Sequence, residues 1–154
     1  MLERDRWIYY KEGYKYITTR FYRVKTLICP STTQRIIRNT LDIDGNPVTI
    51  PLVTLEPSGW QTIYPGYVWN GASGPTIDTK DSMGGSAFHD AGYQLMRLGM
   101  VNLEWKEYID KVFHEIMIED GMIKPRADLW LWAVNKFGRG STRPSAEPME
   151  LVAP

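Results

Sequence analysis

The chain has 154 residues, with 18 Lys and Arg balanced by 18 Asp and Glu, two histidines and one cysteine. That length suits one domain with its own core and no stapling metal or disulfide. The lone thiol, Cys29, excludes an internal bridge and reads as a small buried hydrophobe. The balanced charge argues against general nucleic-acid or anionic-lipid binding. Residues 1–40 nevertheless hold nine basic against three acidic side chains, which marks a solvated sheet surface or a docking face.

Met1 to Tyr10 is charged and aromatic, without the apolar run of a signal peptide or a membrane span. Up to Tyr64 the density of β-branched and aromatic residues between turn residues predicts strands. They are placed at Trp7–Tyr10, Tyr14–Thr19, Tyr22–Cys29, Arg35–Ile43, Val48–Thr54 and Trp60–Tyr64. Asp44-Gly45-Asn46-Pro47 predicts a hairpin turn, with Gly45 and Asn46 able to take positive φ and Pro47 unable to donate to a ladder. Residues 66–85 read as one long ordered loop, anchored by Trp69 and Ile77 and stiffened by Pro75. Three helices follow. The first covers Ser86 to Leu98 and stops at Gly99; the second, capped by Asn102, covers Leu103 to Glu119 with an apolar stripe of Trp105, Ile109, Val112, Phe113 and Ile116. The third runs from Pro125 to Phe137, closed by Gly138, with Leu129, Trp132, Ala133 and Phe137 packing inward. The reading is therefore α+β: an N-terminal antiparallel sheet or small sandwich beside a three-helix unit, one domain over 1–138, and an extended tail over 139–154 that needs a neighbouring surface to be ordered.

The chemistry concentrates on the helical hairpin. From a turn centred between Met100 and Val101, His89 lies about 17 Å along the first helix, Asp110 about 14 Å and His114 about 20 Å along the second. His89 is thus bracketed by Asp110 and His114, while Asp90 beside it stands in the first helical turn, where the dipole favours negative charge. A carboxylate on one imidazole nitrogen frees the other to take a proton from water, the pattern of general-base hydrolysis, with His89 and Asp110 as the catalytic pair. Alternatively, His89, His114 and the carboxylates of Asp90 and Asp110 bind a divalent metal and activate its water. A structural polar network is the competing reading. Glu107 reads as part of a solvated face, and Tyr93, one turn after His89, as a hydrogen-bond donor to the carboxylate or a core residue. In the loop, Asn70 and Ser73 are candidate ligand-binding residues beside glycines that permit close approach. The run lacks the lysine and helix of a phosphate loop and the context of a nucleophilic serine. Asp78 and Asp81 offer oxygens to a hard cation or serve as turn and cap residues.

Two resemblances rest on these residues. Trp69-Asn70-Gly71-Ala72-Ser73-Gly74-Pro75, Ser86 to Tyr93 with His89-Asp90, Asp110 with Phe113, and the aromatic helix ending in Phe137-Gly138 resemble an uncharacterised family of small tailed-bacteriophage and prophage proteins. This implies a phage origin and little about activity; with the absence of a signal peptide in Met1 to Tyr10, the expected location is the virion or host cytoplasm, and the expected partners are other virion proteins or the host envelope. Locally, His89-Asp90-Ala91-Gly92-Tyr93 is similar to the His-Asp-x-Cys-Tyr helix of calcium-dependent secreted phospholipases. That similarity implies His89 as base, Asp90 as a Ca²⁺ ligand, and Asp110 and Tyr93 as residues orienting His89. This chain lacks that family's disulfides, its glycine-rich loop is spaced differently, and its N-terminal half is β-rich. The expectation is a phage accessory protein with a hydrolase-like site, envelope esters or amides being one substrate class. A non-enzymatic tail or capsid component is the alternative, suggested by Trp7, Tyr9, Tyr10, Tyr14 and Tyr16, the charge asymmetry and the tail; a host-directed inhibitor or ligand-binding protein is a third.

Overall fold

The computed structural model describes residues 1–13, 15–71 and 78–144. The architecture is α+β, with strands first and helices after. Strands are β1 (Tyr10–Lys11), β2 (Tyr16–Thr18), β3 (Tyr22–Lys25), β4 (Gln34–Leu41), β5 (Pro47–Leu55), β6 (Trp60–Ile63) and β7 (Val68–Trp69); helices are α1 (Lys80–Arg97), α2 (Lys106–Glu119) and α3 (Lys124–Phe137). All pairings are antiparallel, in a four-stranded sheet ordered β3-β6-β5-β4 and a small sheet ordered β1-β2-β7. β7 falls inside the segment read as a loop. With only two residues it has no periodicity to find, and Trp69 exists as a strand because it pairs with Tyr16.

Alternation decides the sheet's inner face. In β3, Tyr22 and Val24 are buried while Arg23 points outward; Val53, Leu55 and Ile63 join them beneath Phe88, Leu95, Ile109 and Ile116 of the first two helices. The basic excess of the N-terminal region thus partly serves a solvated strand face. Chain flanking β3 covers its outer edge: Lys25 N–H donates to the Glu3 carbonyl and Asp5 N–H to the Arg23 carbonyl, both at 2.8 Å. Arg4, within this segment, bonds Glu119 at 3.1 Å and Asp120 at 2.6 Å and so ties the N-terminus to the end of α2. In the β4–β5 turn, Asp42 accepts the N–H groups of Asp44 and Asn46 at 2.9 and 2.8 Å. Gly45 alone takes positive φ, +82°; Asn46 was expected to share that role and does not.

α1 begins at Lys80, six residues before the predicted start. Thr79 caps it in a reciprocal box with Ser82. Gly84 and Gly85 suggested loop, but they lie within the helix, where their neighbours leave no room for larger residues: a Cβ on Gly84 would meet the Tyr22 hydroxyl of β3 at 2.7 Å, and one on Gly85 would meet Phe113 Cδ2 at 3.0 Å and the Phe113 carbonyl at 3.2 Å. His89 and Asp90 therefore stand mid-helix, and Asp90 is not a helix-start residue.

Three further expectations are corrected. On α3 only Ala133 of the predicted inward set is buried; Leu129, Trp132 and Phe137 are exposed, and Ala127 and Trp130 face Phe113, Met117 and Met122 instead. One amphipathic face satisfies α3, because α2 is its main partner among the described helices. Cys29 is exposed: burial alternates from Tyr22 through Ile28, past the last paired residue of β3, and Cys29 falls on the outward positions with Arg23 and Leu27. The tail does not begin at 139: Gly138–Thr142 forms a 3-10 turn on the end of α1, Thr142 is buried, and Arg97 donates to the Ser141 carbonyl at 3.0 Å. Residues 145–154, Tyr14 and the predicted anchors Pro75 and Ile77 lie outside the described residues.

Candidate functional site

Small residues let α1 and α2 approach closely: Gly85 abuts Phe113, and a Cβ on Gly92 would come within 3.0 Å of Ile109. In that contact Asp110, fully buried, collects three donors. Its Oδ1 lies 2.8 Å from His89 Nε2 and accepts the Tyr93 hydroxyl at 2.8 Å, while Oδ2 accepts Lys106 Nζ at 2.6 Å. Lys106 also donates to the Val134 carbonyl at 3.1 Å, so α3 joins the network. The His89 ring lies between Tyr93 and Phe113, with centroids 4.0 and 4.8 Å away. Gly138, predicted only as a helix stop, leaves room for the Tyr93 hydroxyl, which a Cβ there would meet at 2.5 Å.

The protonation states follow from these contacts. Burial acts against ionisation of Asp110, but the donors His89, Lys106 and Tyr93 outweigh it and hold the carboxyl below its ordinary range. Burial and the neighbouring carboxylate push the Tyr93 phenol far up, so it stays a donor. For His89 burial is the largest influence and lowers its affinity for a proton; Asp110 opposes this and Lys106 adds to it. The ring is thus neutral near pH 7. A carboxylate facing Nε2 assigns the proton to that nitrogen, which leaves the lone pair on Nδ1. Nδ1 has no hydrogen-bond partner among the described residues and is not one of the sealed, unpartnered atoms; the side chain keeps 9% exposure.

The other histidine is elsewhere. His114 Nε2 bonds Asp128 of α3 at 2.8 Å, and Lys124 holds the same carboxylate at 2.6 Å. Four residues after Asp110 advance the helix by more than a full turn, enough to swing His114 from the α1 side of α2 toward α3. The expected convergence of both imidazoles on shared carboxylates is therefore corrected, and so is the pairing of Asp90 with His114 as metal ligands. Asp90 is partly buried, and burial raises its carboxyl from 3.8 to about 7, with Arg97 opposing and Asp78 adding to the rise. Among the described residues no group of three or more His, Cys, Asp or Glu is placed to hold a metal ion. The described residues thus do not fit the calcium site implied by the phospholipase similarity, and no step is derived through one.

Glu107 is exposed, as a solvated face predicts. Asn70 is exposed just after β7, and Ser73 lies outside the described residues. Trp69 is an anchor as predicted, buried and donating Nε1 to the Ser86 hydroxyl at 3.0 Å. Asp78 accepts the Tyr16 hydroxyl at 3.1 Å, and Asp81 stands in the first turn of α1, paired with Thr79 and 3.7 Å from Arg126. Sequence reading missed Lys106, although a lysine four residues before an aspartate on a helix is a legible pairing signal. No family model, curated protein or solved structure matches this chain.

Proposed function

We propose that the chain is a general-base hydrolase of carboxylic esters, with His89 as base and Asp110 as the residue that orients it. The observation that carries this reading is the asymmetry of the imidazole: Nε2 is held by a buried, ionised Asp110, while Nδ1 has no partner among the described residues and the ring is neutral. In the proposed reaction Nδ1 takes a proton from water as the water oxygen bonds to the carbonyl carbon. The tetrahedral species collapses with cleavage of the carbon–oxygen bond, and the imidazolium returns its proton to the departing alkoxide. Asp110 stabilises the imidazolium, while Tyr93 and Lys106 keep the carboxylate from turning away. The phage resemblance adds envelope lipids as a source of such esters.

The test is hydrolysis of fluorogenic carboxylic esters of graded chain length and of dispersed phospholipid, by the full chain and by His89→Gln. Wild-type turnover with a loss of about 10²–10⁴-fold in the folded variant supports the reading. No turnover across the panel, or full activity in His89→Gln, overturns it and leaves the cluster as a polar network joining three helices.

A second reading, a structural component of a phage particle, is favoured by the apolar and aromatic side chains left on the surface of the N-terminal half: Trp7 is 69% exposed, Phe21 55% and Leu41 63%. Recovery of the chain in fixed stoichiometry from purified particles supports it, and its absence from them defeats it.

A further inference from the structure

The four-stranded sheet treats its edges unequally. Residues 3–5 cover the outer edge of β3. β5 pairs with β6 through Val53–Leu55, and the Leu52 carbonyl accepts the Tyr64 N–H at 2.9 Å, so residues 37–51 run as a two-stranded ribbon beyond the sheet, an arrangement of marginal stability in water by itself. The hydrogen bond from Asp42 N–H to the Asn46 carbonyl, 2.9 Å, sets the alternation along this ribbon. Beyond the bulge at Ile36/Ile37, even-numbered residues of β4 direct their N–H and C=O toward β5, and Ile37, Asn39 and Leu41 direct theirs away. On β5 the outward positions are the partners of these three, Pro51, Thr49 and Pro47. Two of the three have no N–H, so that side of the ribbon resists pairing. The β4 side has no such protection, and no described residue bonds its outward groups. It also exposes Ile37 (49%) and Leu41 (63%) on one face.

We infer that the open edge of β4 pairs antiparallel with β4 of a second copy, about a two-fold axis through Asn39, to form one sheet across a homodimer. A second copy fits because the strand is complementary to itself in this register. Asn39 meets Asn39, and each outward N–H finds an outward carbonyl. Ile37 lies opposite Leu41 of the other copy, twice, which covers the exposed apolar pair. On the opposite face Arg38 lies opposite Thr40 of the second copy, with Asp42 of that copy on one diagonal and its Arg38 on the other. An isologous contact of this kind closes at two copies, with the β3 and β5 edges already blocked.

Sedimentation of the full chain over a range of concentrations tests this. The wild type is expected to reach twice the monomer mass. Asn39→Pro deletes an outward N–H while sparing every backbone bond between β4 and β5, losing across that pair only the Thr49 hydroxyl's bond to Asn39 Oδ1, and is expected to sediment as a monomer with an unchanged circular dichroism spectrum. The double variant Ile37→Lys/Leu41→Lys is expected to be monomeric as well, whereas Ile37→Lys/Leu41→Glu should regain the dimer, because this register sets residue 37 against residue 41. A wild type that stays monomeric to its solubility limit overturns the inference, as does an oligomer that the lysine pair leaves intact or that the Lys/Glu pair fails to restore. Should Asn39→Pro not fold, these last two variants decide.

Discussion

At the scale of single residues, Asp110 is the centre on which the site's behaviour turns. Asp110→Asn leaves Lys106 buried without its carboxylate, and removing one member of a buried pair typically costs about 3–5 kcal/mol; urea unfolding at neutral pH is expected to show a loss of that order. Lys106→Met should act in the other direction on the imidazole. Lys106 is one of the influences that lower the proton affinity of His89, so its removal should raise the His89 pKa in an NMR titration of the ring, a shift that needs no substrate to be seen. The pH dependence of stability combines two opposite effects. An unfolded His89 takes up a proton as pH falls through its ordinary 6.5, while the folded ring, held lower, does not; stability from this group is therefore lost below about pH 6.5, by up to about 1.4 kcal/mol per pH unit until the folded ring titrates. Asp90 is raised from 3.8 to about 7, so the folded state holds a proton that the unfolded state lacks across that window, and acidification favours folding through it. Asp90→Asn should thus make the decline between pH 7 and 5 steeper than in the wild type, as read from urea midpoints. An unchanged or shallower slope would contradict this assignment.

At the scale of elements, the contact between α1 and α2 depends on missing side chains. Gly85→Ala gains about 1 kcal/mol of helix propensity, but its Cβ would meet the Phe113 ring at 3.0 Å and the backbone carbonyl of Phe113 at 3.2 Å. Overpacking of this kind typically costs about 1–3 kcal/mol. Because a helix backbone cannot yield as a side-chain tip can, a net loss of thermal stability is expected. α3 offers the opposite contrast between neighbouring tryptophans. Trp130 is buried and Trp132 is about half exposed, 52%. Truncation of Trp130 to Ala is expected to cost about 3–5 kcal/mol, while Trp132→Gln should stay within about 0.5 kcal/mol in the same denaturation assay.

Across the whole molecule, the two halves are joined by a layer of core and by one buried cation. Tyr22, Val53 and Ile63 of the sheet share a cluster with Phe88, Ile109 and Ile116 of the helices. At its edge Arg4, its side chain 2% exposed, reaches Glu119 and Asp120 at the end of α2. Arg4→Met leaves those two carboxylates without their cation, and burial already raises Asp120 despite Arg4. The N-terminal segment should then detach from β3. Hydrogen exchange should quicken at the Asp5 and Lys25 amides, which are bonded across that junction, while the amides of α2 stay protected.

By itself the sequence determined what local chemistry governs. Strand-forming composition followed by helical periodicity gave the α+β order; the α2 stripe and the glycine stops followed from propensity, and the axial rise along a helical hairpin brought His89 level with Asp110. The tertiary structure decided everything that depends on which surface meets which. Gly84 and Gly85 belong to α1 and not to the loop, and their lack of side chains is explained only by what packs on them, Tyr22 of β3 on the first and Phe113 of α2 on the second. His114 turns to Asp128 because α2 is shared by two helices. Lys106 completes the site because its charge is buried against Asp110 and α3, and three aromatic or aliphatic residues of α3 remain outside because the helix packs mainly on α2. Propensity and periodicity act within a few residues of chain, whereas burial and pairing are properties of contacts between segments far apart in sequence.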